Sequence, residues 1–301
     1  MKRACLASFM LLACTAMAAQ AAPDTSCSRR CLLQILWQYT EALTDNKPQA
    51  IPRAPRLRAT SNGAEVALGK GEVWGPGRHL PFRHALVDPA TGSAFFYGAV
   101  TDAARPGASG DAAAAPHWWF YALRLNVVNK QITEVEEVSY DGTAMGANPA
   151  SLKLPDRIFD SVLPPDERST PEELTTIADK YFDAVSGTLD YHQVPWHPEC
   201  QRIELGVFTV NSPLFGGSCG GEFQDPHVRW IVVNRRFYLV DPERGLVLAI
   251  ANFTTPPDLP HNNGSVVFEL FKVQDGFIRQ IQAFFRGNGQ LHSGWGSGPG
   301  S

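Results

Sequence analysis

The heptad Leu86-Val87-Asp88-Pro89-Ala90-Thr91-Gly92 returns later in the chain as Leu239-Val240-Asp241-Pro242-Glu243-Arg244-Gly245. The interval is about one domain length and far exceeds the roughly 20–50 residues of a solenoid repeat. A period this long points to two copies of one fold. The flanking pieces agree. Tyr39-Thr40-Glu41-Ala42-Leu43 stands before the first heptad, and Tyr181-Phe182-Asp183-Ala184-Val185 before the second. Apolar runs follow both, at 95–101 and 246–255. The repeated unit therefore reads as helix, irregular segment, then a series of long strands.

The 301 residues suit two domains. With 44% hydrophobic and 19% charged residues the chain can bury proper cores. A net charge of −4 gives no basic field for nucleic acid. Leu32, Ile35, Leu36, Tyr39, Ala42 and Leu43 recur at helical spacing. The second helix has an explicit start: Thr170 as N-cap, Pro171 at the first helical position, and Glu173 completing a capping box. Leu174, Ile177, Ala178, Tyr181 and Val185 form its apolar face, and Gly187 ends it. Strands are predicted over 82–88, 93–102, 117–128 and 131–140, then 201–211, 228–238, 245–254, 265–274 and 277–286. Segments 52–58 and 190–200 read as irregular. Asn62-Gly63 and Asp275-Gly276 are hairpin signals.

The first residues read as a targeting segment. Lys2 and Arg3 precede an apolar stretch, and Ala19-Gln20-Ala21 offers a small-x-small cleavage site, so 1–21 is predicted to be a signal peptide. A second reading takes Leu11-Leu12-Ala13-Cys14 as a lipobox, with Cys14 anchored to lipid. Secretion or periplasmic export follows from the first reading. No later stretch reaches the ~18 apolar residues of a membrane span. The four remaining cysteines, Cys27, Cys31, Cys200 and Cys219, allow 3 pairings. Cys200–Cys219 and Cys27–Cys31 are favoured, with Cys27 or Cys31 free as the alternative. Metal patterns are missing: no Cys-x-x-Cys, His-x-His or His-Glu-x-x-His occurs. No phosphate loop follows the glycines of 69–77, and no Ser-hydrolase elbow has a strand-turn-helix context.

Several pieces carry a family resemblance. They are Cys27-Ser28-Arg29-Arg30-Cys31-Leu32, Thr60-Ser61-Asn62-Gly63, Leu68-Gly69-Lys70-Gly71, Cys200-Gln201-Arg202-Ile203-Glu204, Arg235-Arg236, and Glu269-Leu270-Phe271-Lys272 with Asp275-Gly276. The chain resembles tandem nuclear transport factor 2-like (SnoaL-like) proteins, a mostly fungal family of uncharacterised secreted proteins. That resemblance implies an α+β fold of two cone-shaped units, each a helix on a curved antiparallel sheet. The expected layout is a first cone over 22–145, a linker over 146–169, a second cone over 170–287 and a disordered tail over 288–301. It also implies a pocket between helix and sheet. In similar enzymes a His, Asp or Tyr in that pocket moves protons without a cofactor. Where the family tends to carry Thr-Glu-Asn-Gly, this chain has Ser61.

Candidate chemistry concentrates in the second copy. His192 and His197 stand near Asp190, Tyr191 and Trp196, and a histidine beside a carboxylate suits a general base. Both would be surface residues on the bland reading. Arg202 and Glu204 share one strand face at two-residue spacing, where an ion pair could orient a substrate. Glu269 lies on an apolar strand face between Val267 and Phe271, with Arg235 or Arg236 as the expected partner. The expectation is a secreted, cofactor-free and metal-free pocket protein. It would be a lyase, dehydratase, isomerase or cyclase acting on a small organic molecule, with His192, His197, Arg202, Glu204 and Glu269 as site residues. The alternative is a non-catalytic binding module, dimeric through its sheet faces.

Overall fold

The computed structural model describes residues 27–102, 116–142, 147, 149, 152, 157–210, 217–221, 230–256, 264–287 and 295. The predicted signal peptide, Cys14 and all of the tail but Trp295 lie outside the described residues. Trp295 is buried, and its indole Nε1 donates to Thr60 Oγ1 at 2.9 Å.

The first half runs α1 (Arg29–Thr44), β1 (Arg53–Ser61), β2 (Ala64–Glu65), β3 (Arg78–Asp88), β4 (Ser93–Asp102), β5 (Trp118–Val128) and β6 (Gln131–Tyr140). The second runs α2 (Pro171–Val185), β7 (Trp196–Glu204), β8 (Val207–Phe208), β9 (Ile231–Asp241), β10 (Leu246–Thr254), β11 (Ser265–Gln274) and β12 (Phe277–Gly287). Each half builds one six-stranded sheet. The strand orders, β2-β1-β6-β5-β4-β3 and β8-β7-β12-β11-β10-β9, are the same. Asp88 pairs with Ser93 at the end of β3, and Asp241 with Leu246 at the end of β9, so both occupy one topological position.

The second helix starts as the sequence indicates. Ser28 caps α1, and Thr170 and Glu173 form the reciprocal capping box of α2. The repeated heptad makes the β3–β4 and β9–β10 turns. Gly92 and Gly245 have φ of 70° and 60° there, a left-handed conformation that suits glycine. A Cβ at either would lie within 2.4 Å of a carbonyl oxygen, Val127 O or Val273 O, so the space also excludes larger residues. Asn62 and Gly63, at φ 52° and 81°, turn β1 into β2. Leu205 and Gly206, at φ 45° and 76°, do the same between β7 and β8.

Three expectations need correcting. The sheets are mixed, not antiparallel: β1 runs parallel to β6, and β7 parallel to β12. Short turns set the directions within the pairs β3–β4, β5–β6, β9–β10 and β11–β12, but β1 and β7 are added from across the sheet, where no hairpin dictates direction. Segment 52–58 is strand from Arg53 on, and segment 190–200 is a 3₁₀ turn over Tyr191–Gln193 followed by strand from Trp196. β1 and β7 arch away from their neighbours there, which accommodates Pro55 and Pro198 without breaking the sheet. Finally, the sheet faces assigned to a second copy of the chain are used within it. One face of each sheet meets its own helix. The other faces form a shared core, with Phe95, Phe120 and Ala122 against Leu248, Phe268 and Phe284.

Polar groups inside that shared core are paired across it. Glu136 accepts from both Arg236 terminal nitrogens, at 3.1 and 2.8 Å, and faces Arg124 Nε at 3.4 Å. Arg124 lies 3.4 Å over the Tyr238 ring. Val240 N donates to Asp88, and Arg29 bridges Val87 O and Asp241, so the two heptads meet. Described residues of the segment assigned as a linker form a clasp. Asp160 contacts His84, Leu163 N donates to Glu243 O, and Ser161 takes two hydrogen bonds from Lys272 Nζ. Both disulfides, Cys27–Cys31 and Cys200–Cys219, are formed, as suits an oxidising compartment. No helix among the described residues is long and apolar enough to cross a membrane.

Two measurements test the shared core. Replacing Glu136 by Ala leaves the buried Arg236 guanidinium without its carboxylate, while Arg124 keeps Glu134, and should cost about 3–5 kcal/mol in urea unfolding. Lys272, fully buried, has its pKa lowered to about 8, chiefly by desolvation. Its folded pKa lies below the unfolded value of 10.5, so stability tied to it is present above that value and falls as pH drops towards 8. Unfolding at stepped pH should show this slope in the native chain and lose it in Lys272→Met.

Candidate functional site

Each helix places one tyrosine over its sheet, and each tyrosine finds a buried glutamate. Tyr39 of α1 donates to Glu137 Oε1 at 2.7 Å, and Tyr181 of α2 to Glu269 Oε1 at 2.8 Å. The tyrosines correspond, but the glutamates do not. Glu137 is on β6, directly opposite Leu123 of β5. Glu269 is on β11, directly opposite Ala283 of β12. The register makes β6 the counterpart of β12, and β5 of β11. The carboxylate thus stands one strand apart in the two halves.

One lateral row on the helix-facing side holds the difference. In the first half it reads Ser61, Glu137, Leu123 across β1, β6 and β5. In the second it reads Glu204, Ala283, Glu269 across β7, β12 and β11. Adjacent strands lie about 4.8 Å apart, so two carboxylates are seeded roughly 10 Å apart with a methyl group between. Ser61 and Glu204 are equivalent, each preceding the turn of its short hairpin. The second half thus carries glutamate where the first has serine.

The first row is closed. Glu137 Oε1 also accepts from Tyr121 at 2.6 Å and from Trp74 Nε1 at 3.0 Å. Gly71 lies against the other oxygen, and a Cβ there would come within 2.1 Å of it. Burial raises the pKa of Glu137, and the three donors only partly offset that. Tyr39 and Tyr121 are pushed well above their usual range by burial and by the Glu137 charge.

The second row is built from charges held in place. Arg202, 1% exposed, sets Nε against Glu204 Oε1 and Thr209 Oγ1, both at 3.0 Å, and donates NH1 to Cys219 O at 2.9 Å. The Cys200–Cys219 disulfide fixes that carbonyl beside the strand carrying Arg202. Glu269 is not partnered by Arg235 or Arg236. Arg235 reaches Asp179 and Asp183 on α2, and Arg236 points to the opposite face of the sheet. Tyr181 takes the expected arginine's place.

The histidines stand apart from this row. His192 is exposed, with its ring 3.8 Å from that of Tyr191, beside an open hollow of about 470 Å³. The Asp190 carboxylate accepts from the His192 backbone N at 3.0 Å and so caps a turn. His197 Nδ1 accepts from Glu199 N at 3.0 Å and faces Arg279 NH1 at 2.8 Å. Of the five residues singled out from sequence, the fold brings Arg202, Glu204 and Glu269 to one face and leaves His192 and His197 outside it. Tyr181, Tyr39, Trp74, Tyr121 and Glu137 were missed as polar groups. The alignment of Tyr39 with Tyr181 was the one available signal. No group of three or more potential metal ligands occurs among the described residues.

A family described as a domain of unknown function (DUF8021) matches residues 167–285, which are the second half. Among solved structures, AclR from Streptomyces galilaeus, a candidate hydroxylase by its description, aligns at 15% identity and a TM-score of 0.31. The alignment covers 46% of this chain and 91% of that one. No curated protein matches the chain.

The pH dependence of the closed row is a direct test. The raised pKa of Glu137 means that the folded chain binds this proton more tightly than the unfolded one. Its contribution is complete below the ordinary carboxylate value of about 4.3 and is lost as pH rises through the folded value. Stability of Glu137→Gln relative to the native chain should therefore improve from pH 4 to pH 8, as read by chemical unfolding at each pH.

Proposed function

We propose that the second half is a cofactor-independent acid–base site for a small organic molecule, and that the first half is its non-catalytic counterpart. On this reading each half is a cone of the nuclear transport factor 2-like kind, the chain is exported, and the reaction is a lyase or isomerase step. The observation that carries the reading is the row Glu204–Ala283–Glu269, two carboxylates on strands either side of an alanine.

The roles follow from the contacts. Glu269, 4% exposed and oriented by the Tyr181 hydroxyl, takes the proton from carbon and returns it. Tyr181 positions that carboxylate. Glu204, whose side chain is 15% exposed, meets the substrate at the wetter end. Arg202 holds Glu204 in place through the 3.0 Å ion pair. His192 and His197 are left without a part in the proton transfer, because their nearest polar partners lie away from the row. The first half supports the division of roles: its equivalent space is occupied by Tyr39, Trp74 and Tyr121 around Glu137.

Proton transfer is measurable before the substrate is known by name. Ligands found by thermal shift across a panel of small carbonyl compounds can be incubated with the protein in deuterated water and followed by proton NMR. Exchange of a carbon-bound proton is expected. Glu269→Gln keeps the Tyr181 hydrogen bond and should slow exchange by about 10²–10⁴-fold with binding retained. His192→Ala with His197→Ala should leave the rate unchanged. Equal exchange by Glu269→Gln and the native protein would remove the assignment, and ligand binding with no exchange would leave a binding module.

A further inference from the structure

A second hollow, of about 400 Å³, opens beside β1 in the first half. Its size falls within the roughly 300–1,000 Å³ of small-molecule sites. It exists because β1 arches. Arg53 pairs with Ile132 and Arg58 with Glu134, so five steps along β1 span two along β6. The arch lifts away from the sheet, and Val66 and Leu68 form the facing wall.

The second half has the same arch with a different filling. Trp196 pairs with Ile278 and Gln201 with Gln280, again five steps against two. Counting along the arches sets Arg53 opposite Trp196, Pro55 opposite Pro198, Arg56 opposite Glu199 and Leu57 opposite Cys200. In the second half the Trp196 indole packs against Gly220 and donates to Tyr191 O. Cys200 is tied to Cys219, and Glu199 is paired with Arg279. The position is plugged, cross-linked and charge-neutral.

The first half leaves it open and positive. Arg53 lines the hollow, Arg56 lies on the arch, and Lys130 precedes the lining residue Gln131. All three are exposed, and no described residue gives their side chains an ion pair or a hydrogen bond. The nearest carboxylates in register are already engaged, Glu65 with Arg58 and Glu134 with Arg124. Leu57, Val66 and Leu68 supply an apolar wall beside this charge.

We infer that this hollow binds an amphipathic monocarboxylate, with its anionic head on the lining Arg53, in the added positive field of the exposed Arg56 on the same arch, and its apolar body along Leu57, Val66 and Leu68. A guanidinium accepts a carboxylate through two parallel hydrogen bonds, which suits a single anionic head. The site is independent of the Glu204–Ala283–Glu269 row.

Octanoate is a suitable probe, titrated calorimetrically into the full chain. One equivalent should bind. Octanol lacks the charge and acetate lacks the body, so each should bind at least tenfold more weakly. Raising the salt to 0.5 M should weaken octanoate binding, because the cations are exposed. The Arg53→Gln/Arg56→Gln variant should lose at least tenfold in affinity at unchanged Tm. Leu57→Trp should block the hollow, and Glu269→Gln should bind octanoate as the native chain does. The inference is overturned if the double arginine variant binds octanoate like the native protein, if octanol binds equally well, if no binding occurs, or if Glu269→Gln abolishes it.

Discussion

The inner strands β4, β5, β10 and β11 are covered on both faces, by their own helix side on one and by the other sheet on the opposite one. That double burial governs most of what the sequence had to contain. β4 is buried at every position except its last residue, and β11 likewise. Such strands cannot show the clean alternation of a sheet with one face in water. They also leave no solvent for the polar side chains that the shared core retains. Arg124 and Arg236 therefore converge on Glu136, and Lys272 Nζ is met by Ser161 and by Arg244 O. An apolar replacement of the whole ionic group would be tolerated better than loss of one member. The group's structural consequence is registry, since Glu136 on one sheet can satisfy Arg236 on the other only in one alignment.

Against that fixed frame the helix-facing rows were free to diverge. The two tyrosines keep their places because the helices do. The acidic partner stands on β6 in the first half and on β11 in the second. A one-strand displacement distinguishes a carboxylate enclosed by Trp74 and Tyr121 from one of a pair separated by Ala283. The disulfide belongs to the same divergence. It fixes the carbonyl that holds Arg202, and Arg202 in turn holds Glu204. The first half has no cysteine at the equivalent Leu57, and its arch stays open.

Much of this was legible in the sequence. The repeated heptad marks equivalent turns because Gly92 and Gly245 are both pressed against a neighbouring carbonyl, a local requirement that leaves a local signature. Helix caps and the Asn62-Gly63 turn are local in the same sense. The parallel addition of β1 and β7 was not legible, since nothing near those residues specifies a partner on the far side of a sheet. Glu269 was correctly seen as a carboxylate on an apolar face, yet its partner was misassigned. Arg236 lies close in sequence to the right sheet but on its wrong face, and a register shift in β9 separates its parity from that of Glu269. His192 failed for another reason. Nearness to Asp190 in sequence became a backbone cap, because short Asp side chains satisfy N–H groups two residues on.

Glu137 shows why a buried carboxylate can persist without chemistry. Replacing it by an apolar residue would leave the Tyr39 and Tyr121 hydroxyls and the Trp74 N–H without an acceptor inside a sealed core. Each stranded group would cost about 1–3 kcal/mol, together comparable with the net stability of a small domain. Selection on folding alone is enough to keep that glutamate. The same argument does not account for Glu204. Its side chain reaches solvent, its serine counterpart satisfies the first half, and an arginine buried to 1% is committed to holding it. Burying a guanidinium to fix a partly exposed carboxylate is a poor way to stabilise a fold. It is a reasonable way to keep a charged group aimed at something that arrives from outside.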